Sequence, residues 1–169
     1  SLLSGGKRLR PVMLLAAFHM LSDDVDQALP FAAAVEMIHT YSLVHDDLPA
    51  MDNDDMRRGK PSNHKKFGEG IAILAGDALL THAFETMAAS NHPYALKAVS
   101  QIARYAGAQG MIAGQMADLS MEEMQPDMDM VYYIQRHKTS DLFAAAITAG
   151  LALTNADELW MQAAKDYSL

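Results

Sequence analysis

The chain has 169 residues, half of them apolar and one fifth charged, an ordinary mixture for a single globular domain with a sizeable core. It holds no cysteine, which excludes disulfide frameworks and thiolate metal sites and is compatible with a reducing cytoplasm. The net charge of −8 argues against a nucleic-acid binder, polar groups interrupt every long apolar stretch, and no basic-then-apolar leader opens the chain; no nucleic-acid partner, membrane anchor or signal peptide is expected. In chain order, the pattern predicts helices almost throughout. The first runs from Val12 to Leu21, with Pro11 in its first turn, and the second from Gln27 to His45. A third covers Glu69 to Ala89, with Ile71, Leu74, Ala78 and Phe84 as its expected buried stripe. Pro93 opens a fourth that reaches about Leu119, and a fifth covers Met128 to Ala149. Asn155-Ala156-Asp157 caps a last helix. No alternating strand stands out. Gly5-Gly6, Pro49 to Asn53 and Arg58 to Pro61 read as loops. The 13 methionines read mainly as core filler at helical spacing.

The chemistry concentrates between His39 and Lys60. Asp46, Asp47, Asp52, Asp54 and Asp55 place five carboxylates within ten positions. Acids this close repel one another unless a cation intervenes, and magnesium suits hard oxygen ligands while keeping room for substrate phosphates. Six helical positions rotate by about 600°, so Asp46 and Asp52 converge only if the helix breaks between them. Leu48-Pro49-Ala50 supplies that break. His39 lies seven positions before Asp46 and so shares its helix face. Arg57-Arg58 follows the acids directly, offering forks that match phosphate oxygens. Gly5-Gly6-Lys7-Arg8-Leu9-Arg10-Pro11 is a second phosphate candidate, with glycines for close approach and cations just before a helix start. Lys138-Thr139 sits inside an apolar helix; facing inward the lysine needs an anionic partner, and facing outward it is merely solvated. Glu122-Glu123 and Asp127-Asp129 read as loop and helix-start charges around Pro126.

Together these stretches resemble the trans-polyprenyl synthase family, and within it bacterial short-chain enzymes of the farnesyl diphosphate synthase type. The matching text is GGKRLRP at 5–11, EMIHTYSLVHDDLPAMDNDD at 36–55, RRGKP at 57–61, FGEGIAILAGDALL at 67–80, GQMADL at 114–119 and HKTSDLF at 137–143. The resemblance implies an all-α fold, a helical bundle around a central cavity, of which residues 1–169 form a single incomplete portion. It implies a cytoplasmic, homodimeric, magnesium-dependent prenyltransferase that joins isopentenyl diphosphate to an allylic diphosphate, dimethylallyl or geranyl. By resemblance, Asp46, Asp47 and Asp52 belong to a first aspartate-rich, magnesium-binding motif. Lys7, Arg10, His39 and Arg58 hold isopentenyl diphosphate, and Arg57 grips the allylic diphosphate. Lys138 and Thr139 lie by the leaving group, and Gln115 and Asp118 face the same cavity. Tyr41 and Ser42 precede the motif by five and four positions, which puts Tyr41 about 7.5 Å along the helix from Asp46. In the family an aromatic there, with the longer DDLPAMD motif, goes with a fifteen-carbon product. A second aspartate-rich motif is absent after Leu119, so the chain is expected to lack both the start of its domain and the part that carries that motif. The alternatives are a geranylgeranyl diphosphate synthase, an HD-type metal phosphohydrolase built on His45-Asp46, and a non-catalytic partner subunit.

Overall fold

Pro11 is the third residue of α1 (Leu9–His19), where its missing N–H costs nothing, so the helix opens three residues earlier than the apolar run suggests. The computed structural model describes residues 1–121 and 127–168; Glu122, Glu123 and Pro126 lie outside them. A short 3₁₀ turn, Val25–Ala28, leads into α2 (Leu29–Asp46), with Pro30 in its first turn. After the acidic turn come β1 (Met56–Arg57) and β2 (Lys60–Pro61), paired antiparallel with Met56 opposite Pro61. This hairpin corrects the reading of Arg58–Pro61 as plain loop. Arg58 and Gly59 both take positive φ (53° and 73°), as a two-residue type I′ connection requires. Its two-residue arms are too short for alternation to reveal.

Then follow α3 (Asn63–Phe67), α4 (Glu69–Ala88), α5 (Ala95–Ala106), α6 (Met111–Met121) and α7 (Met128–Ile134). A π-helical segment, Gln135–Ser140, joins α7 to α8 (Asp141–Leu153), and α9 (Glu158–Tyr167) ends the described chain. Asp157 caps α9 by accepting from the Leu159 and Trp160 amides, and Asp127 caps α7 by accepting from Met130. The long helix expected from Pro93 to Leu119 is instead two, because Gly107 turns extended and ends α5.

The all-α expectation holds, with the core built around α8. From Ala144 to Leu153 every residue is buried, which marks α8 as the central helix. α1 and α5 pack on it, while α2 packs along α4 and α6 lies against the π segment. Leu14, Phe18, Phe31, Ile38, Leu142 and Leu153 fill the main core, each such side chain stabilising by about 1.5–3 kcal/mol. The expected stripe on α4 is corrected. Ala72, Gly76, Ala83 and Met87 face inward, and Ile71 and Leu74 are 55% and 63% exposed. Small residues win the inner face because α2 approaches closely, which displaces the bulkier side chains outward. Among the described residues α4 alone is long and apolar enough to cross a membrane, with mean hydropathy 1.2 in its best window. The methionines divide: Met87 and Met111 are buried, whereas Met20, Met116 and Met128 are exposed.

Candidate functional site

The acidic turn is built by a helix that stops where its carboxylates are needed. α2 ends at Asp46, Pro49 prevents continuation, and the Asp52 amide returns to donate 2.9 Å to the Asp46 carbonyl. Asn53, at φ 52°, closes the turn by donating to the Leu48 carbonyl at 3.1 Å. Asp46 and Asp52 thereby come to the same cation: Lys138 Nζ lies 3.8 Å from one and 3.9 Å from the other. Asp47 points elsewhere. It is 2% exposed and accepts from Arg57 Nε at 2.8 Å and from Arg57 Nη2. Arg57 also meets Asp54 at 3.3 Å, while Asp55 pairs with Lys65 at 2.8 Å. Of the five acids, then, two share Lys138, one of them (Asp46) on the cavity wall, and two fix an arginine.

Lys138 faces inward and finds its anionic partners. Its ammonium donates to Asp118 at 2.5 Å. Burial works to lower its pKa, but the Asp118 hydrogen bond and the charges of Asp46, Asp52 and Asp118 outweigh that and hold it above the ordinary value. The lysine sits in the π segment, where one extra residue per turn re-aims side chains. The segment can lie against α6 only because residue 114 is glycine: a Cβ there would stand 2.1 Å from the Lys138 amide nitrogen. From α6, Gln115 donates to Asp46. Burial raises the Asp46 pKa, Asp52 adds to that, and Lys138, Arg57 and Gln115 oppose it.

Lys138, Thr139, Asp46 and Gln115 line the polar end of a cavity of about 780 Å³. Its apolar walls include Tyr41, Leu80, Met111 and Ile112, and Ser42 also lines it. Tyr41 is buried and packs edge-on against His45, ring centroids 5.8 Å apart. Burial lifts the Tyr41 pKa above its usual value, so the ring stays neutral. His45 itself bonds across to the Ile73 carbonyl at 2.9 Å, tying the end of α2 to α4.

A second cleft, of about 430 Å³, is lined by Gly6, Lys7, Arg10, His39 and Arg58 among others. Arg10 Nη1 is 3.3 Å from His39 Nε2. Burial, then the charges of Arg10, Arg58, Arg8 and Arg57, push the His39 pKa down to about 4, so the ring is neutral at pH 7. Arg58 donates to the Gly5 carbonyl and fills the space where a side chain at Gly6 would stand. Arg8, which shares the basic run, serves the scaffold: it pairs with Glu36 and donates to the Leu2 carbonyl at 2.6 Å. Glu36 escaped the sequence reading, although it lies three residues before His39 on the same helix. Arg10 and His39 line the cavity as well as the cleft, so this pair is a wall common to both.

Asp46 on the cavity wall, with Asp52 brought to the same lysine, fits magnesium, which takes one or two protein carboxylates and completes its shell with waters and phosphates. Among the described residues no three His, Asp or Glu side chains form a ready-made metal cage.

The comparisons with known proteins agree with this geometry. The polyprenyl synthetase family model matches residues 1–169. The chain belongs to the polyprenyl synthetase family. It is 48% identical over 162 residues to a farnesyl diphosphate synthase of Geobacillus stearothermophilus, covering 93% of this chain and 54% of that protein. It is also 48% identical over 156 residues to the chloroplastic geranylgeranyl pyrophosphate synthase 7 of Arabidopsis thaliana, covering 89% and 45%. Among solved structures, an apo FPP/GFPP synthase from Zymomonas mobilis superposes with a TM-score of 0.91 at 37% identity, covering 98% of this chain and 62% of that one. The chain thus spans about half the length of these curated relatives. Family membership displaces the HD-type phosphohydrolase reading.

Proposed function

We propose that the complete protein condenses isopentenyl diphosphate head to tail with an allylic diphosphate, twice starting from dimethylallyl or once starting from geranyl diphosphate, releasing one diphosphate each time and farnesyl diphosphate as product. The observation that carries this is the pair Arg10 and His39, which lines both a cationic cleft and a largely apolar cavity that also holds Asp46, Gln115 and Lys138. Two diphosphates can bind there with their reactive carbons adjacent. Lys7, Arg10 and Arg58 bind the diphosphate of isopentenyl diphosphate, and neutral His39 adds a hydrogen bond. Asp46 and Asp52, with Asp47 anchoring the turn, would hold magnesium, which would supply positive charge to the allylic diphosphate. Arg57 and Lys138 neutralise the same leaving group, and the Thr139 hydroxyl lies beside it. The isopentenyl double bond attacks the allylic cation, a carbon–carbon bond forms, and a neighbouring carbon loses a proton. Leu80, Met111 and Ile112 keep water from the cation, and the Tyr41 ring limits the growing tail.

A twenty-carbon product is the second reading, favoured by the equal identity to the Arabidopsis protein. Tyr41, buried at the apolar wall, argues for fifteen carbons. We further propose that the remainder of the protein carries a second aspartate-rich motif, that the enzyme works in the cytoplasm, and that a second copy covers the exposed Ile71 and Leu74 face of α4. The test is incorporation of labelled isopentenyl diphosphate by the complete protein and by Asp46→Ala. The variant is expected to lose roughly a thousandfold in turnover, the several kcal/mol that a charge-stabilising ligand contributes. Near-normal turnover removes Asp46 from the chemistry. A complete wild-type protein that incorporates nothing supports the partner-subunit alternative.

A further inference from the structure

The guanidinium of Arg10 is held in an unusual way for a half-buried cation. Its carbon lies over the Phe143 ring, 4.3 Å from the centroid. Its Nη1 is 3.3 Å from His39 Nε2, and its Nε is buried with no hydrogen-bond partner among the described residues. A guanidinium carries five N–H donors in one plane and none on its faces. A ring beneath the face therefore steadies the cation without consuming a donor, which a carboxylate in the same place would do. The nearest carboxylate on this side of α2, Glu36, is engaged by Arg8 instead. Phe143 also follows Lys138 by five residues in one continuous helical run, so the element that carries the lysine of the cavity also carries the ring beneath the arginine of the cleft.

We propose that Phe143 is a positioning residue for isopentenyl diphosphate: its ring sets the plane of the Arg10 guanidinium at the wall of the cleft, leaving Nη2, which makes no hydrogen bond among the described residues, for the diphosphate. The inference rests on the reading of Arg10 as a ligand of that diphosphate. Phe143 touches neither substrate and acts only through Arg10. An aliphatic side chain of similar volume keeps the packing and loses the ring's attraction for the cation, a contact worth about fivefold in affinity at a half-buried site.

The experiment measures KM for isopentenyl diphosphate and, separately, for the allylic diphosphate in the complete protein and in Phe143→Leu, Phe143→Tyr and Arg10→Met. Phe143→Leu is expected to raise KM for isopentenyl diphosphate about fivefold, with the allylic KM and kcat within about twofold of wild type. Phe143→Tyr, which keeps a ring, is expected to restore it. Should the leucine variant melt far below wild type, Phe143→Met fills the same space and is expected to show the same selective rise. Two results overturn the inference while leaving the Arg10 reading intact: an Arg10→Met effect on isopentenyl diphosphate with none from Phe143→Leu, or an equal rise in both KM values. An Arg10→Met protein with unchanged KM for isopentenyl diphosphate overturns the reading itself, and the inference with it.

Discussion

His39 is the residue whose environment most clearly carries a measurable consequence. Its pKa lies at about 4 in the folded chain and near 6.5 when unfolded. Between those values the unfolded chain binds the extra proton, so stability must fall as pH drops from about 6.5 toward 4. With the ring half-buried, screening reduces the effect, and the loss between pH 7 and pH 5 is about 1 kcal/mol. Denaturant melts at both pH values, compared with His39→Gln, check this: the variant should lose less stability than wild type on acidification by about that amount. Tyr41 carries the product-length reading. Tyr41→Ala removes the ring from the apolar wall and should shift products from fifteen toward twenty carbons. A product spectrum on chromatography identical to wild type would leave Tyr41 as core packing only. Residue identities in the acidic motif were legible from the sequence, but their division of labour was not. Only the turn geometry shows that Asp46 and Asp52 approach Lys138 while Asp47 turns toward Arg57.

At the scale of elements, α6 and the π segment form the contact on which the site depends. Gly114 permits it, and the atoms that a Cβ would meet are backbone, which cannot swing aside. Gly114→Ala should therefore push the π segment and Lys138 away from Asp118 and Asp46, destabilise the fold by about 1–3 kcal/mol, and cut turnover far beyond the loss of folded protein. Thermal melts beside turnover per folded molecule separate the two effects; full activity in a folded variant would show that the approach of α6 is not needed. Elements of this kind were the least legible. Pro49 signalled the break after α2, because the residue before a proline resists helical geometry. The break at Gly107, the π turn and the six-residue hairpin leave almost no periodic trace, because each is confined to a short stretch of chain. The burial of α4 misled for a different reason. Periodicity shows that a helix has two faces, but which one is buried depends on how closely its neighbour approaches.

For the whole molecule, the helical architecture and the site's composition were readable because the basic runs, the acidic turn and Lys138-Thr139 are each compact in sequence. Their meeting was not readable, since Arg10, Asp46 and Lys138 come from separate helical elements. The homodimer proposed above would cover the outward face of α4, where Ile71 and Leu74 are exposed. Sedimentation of the complete protein should accordingly give a dimer, and a monomer at micromolar concentration would contradict the homodimer reading. The central claim is that this site joins two diphosphates and does not merely hydrolyse one. The most direct measurement follows diphosphate release from geranyl diphosphate by the complete protein with magnesium, with and without isopentenyl diphosphate. The account predicts release only when isopentenyl diphosphate is present, one diphosphate for each isopentenyl unit consumed, with a fifteen-carbon product. Equal release in its absence, or no release in either case, would contradict it.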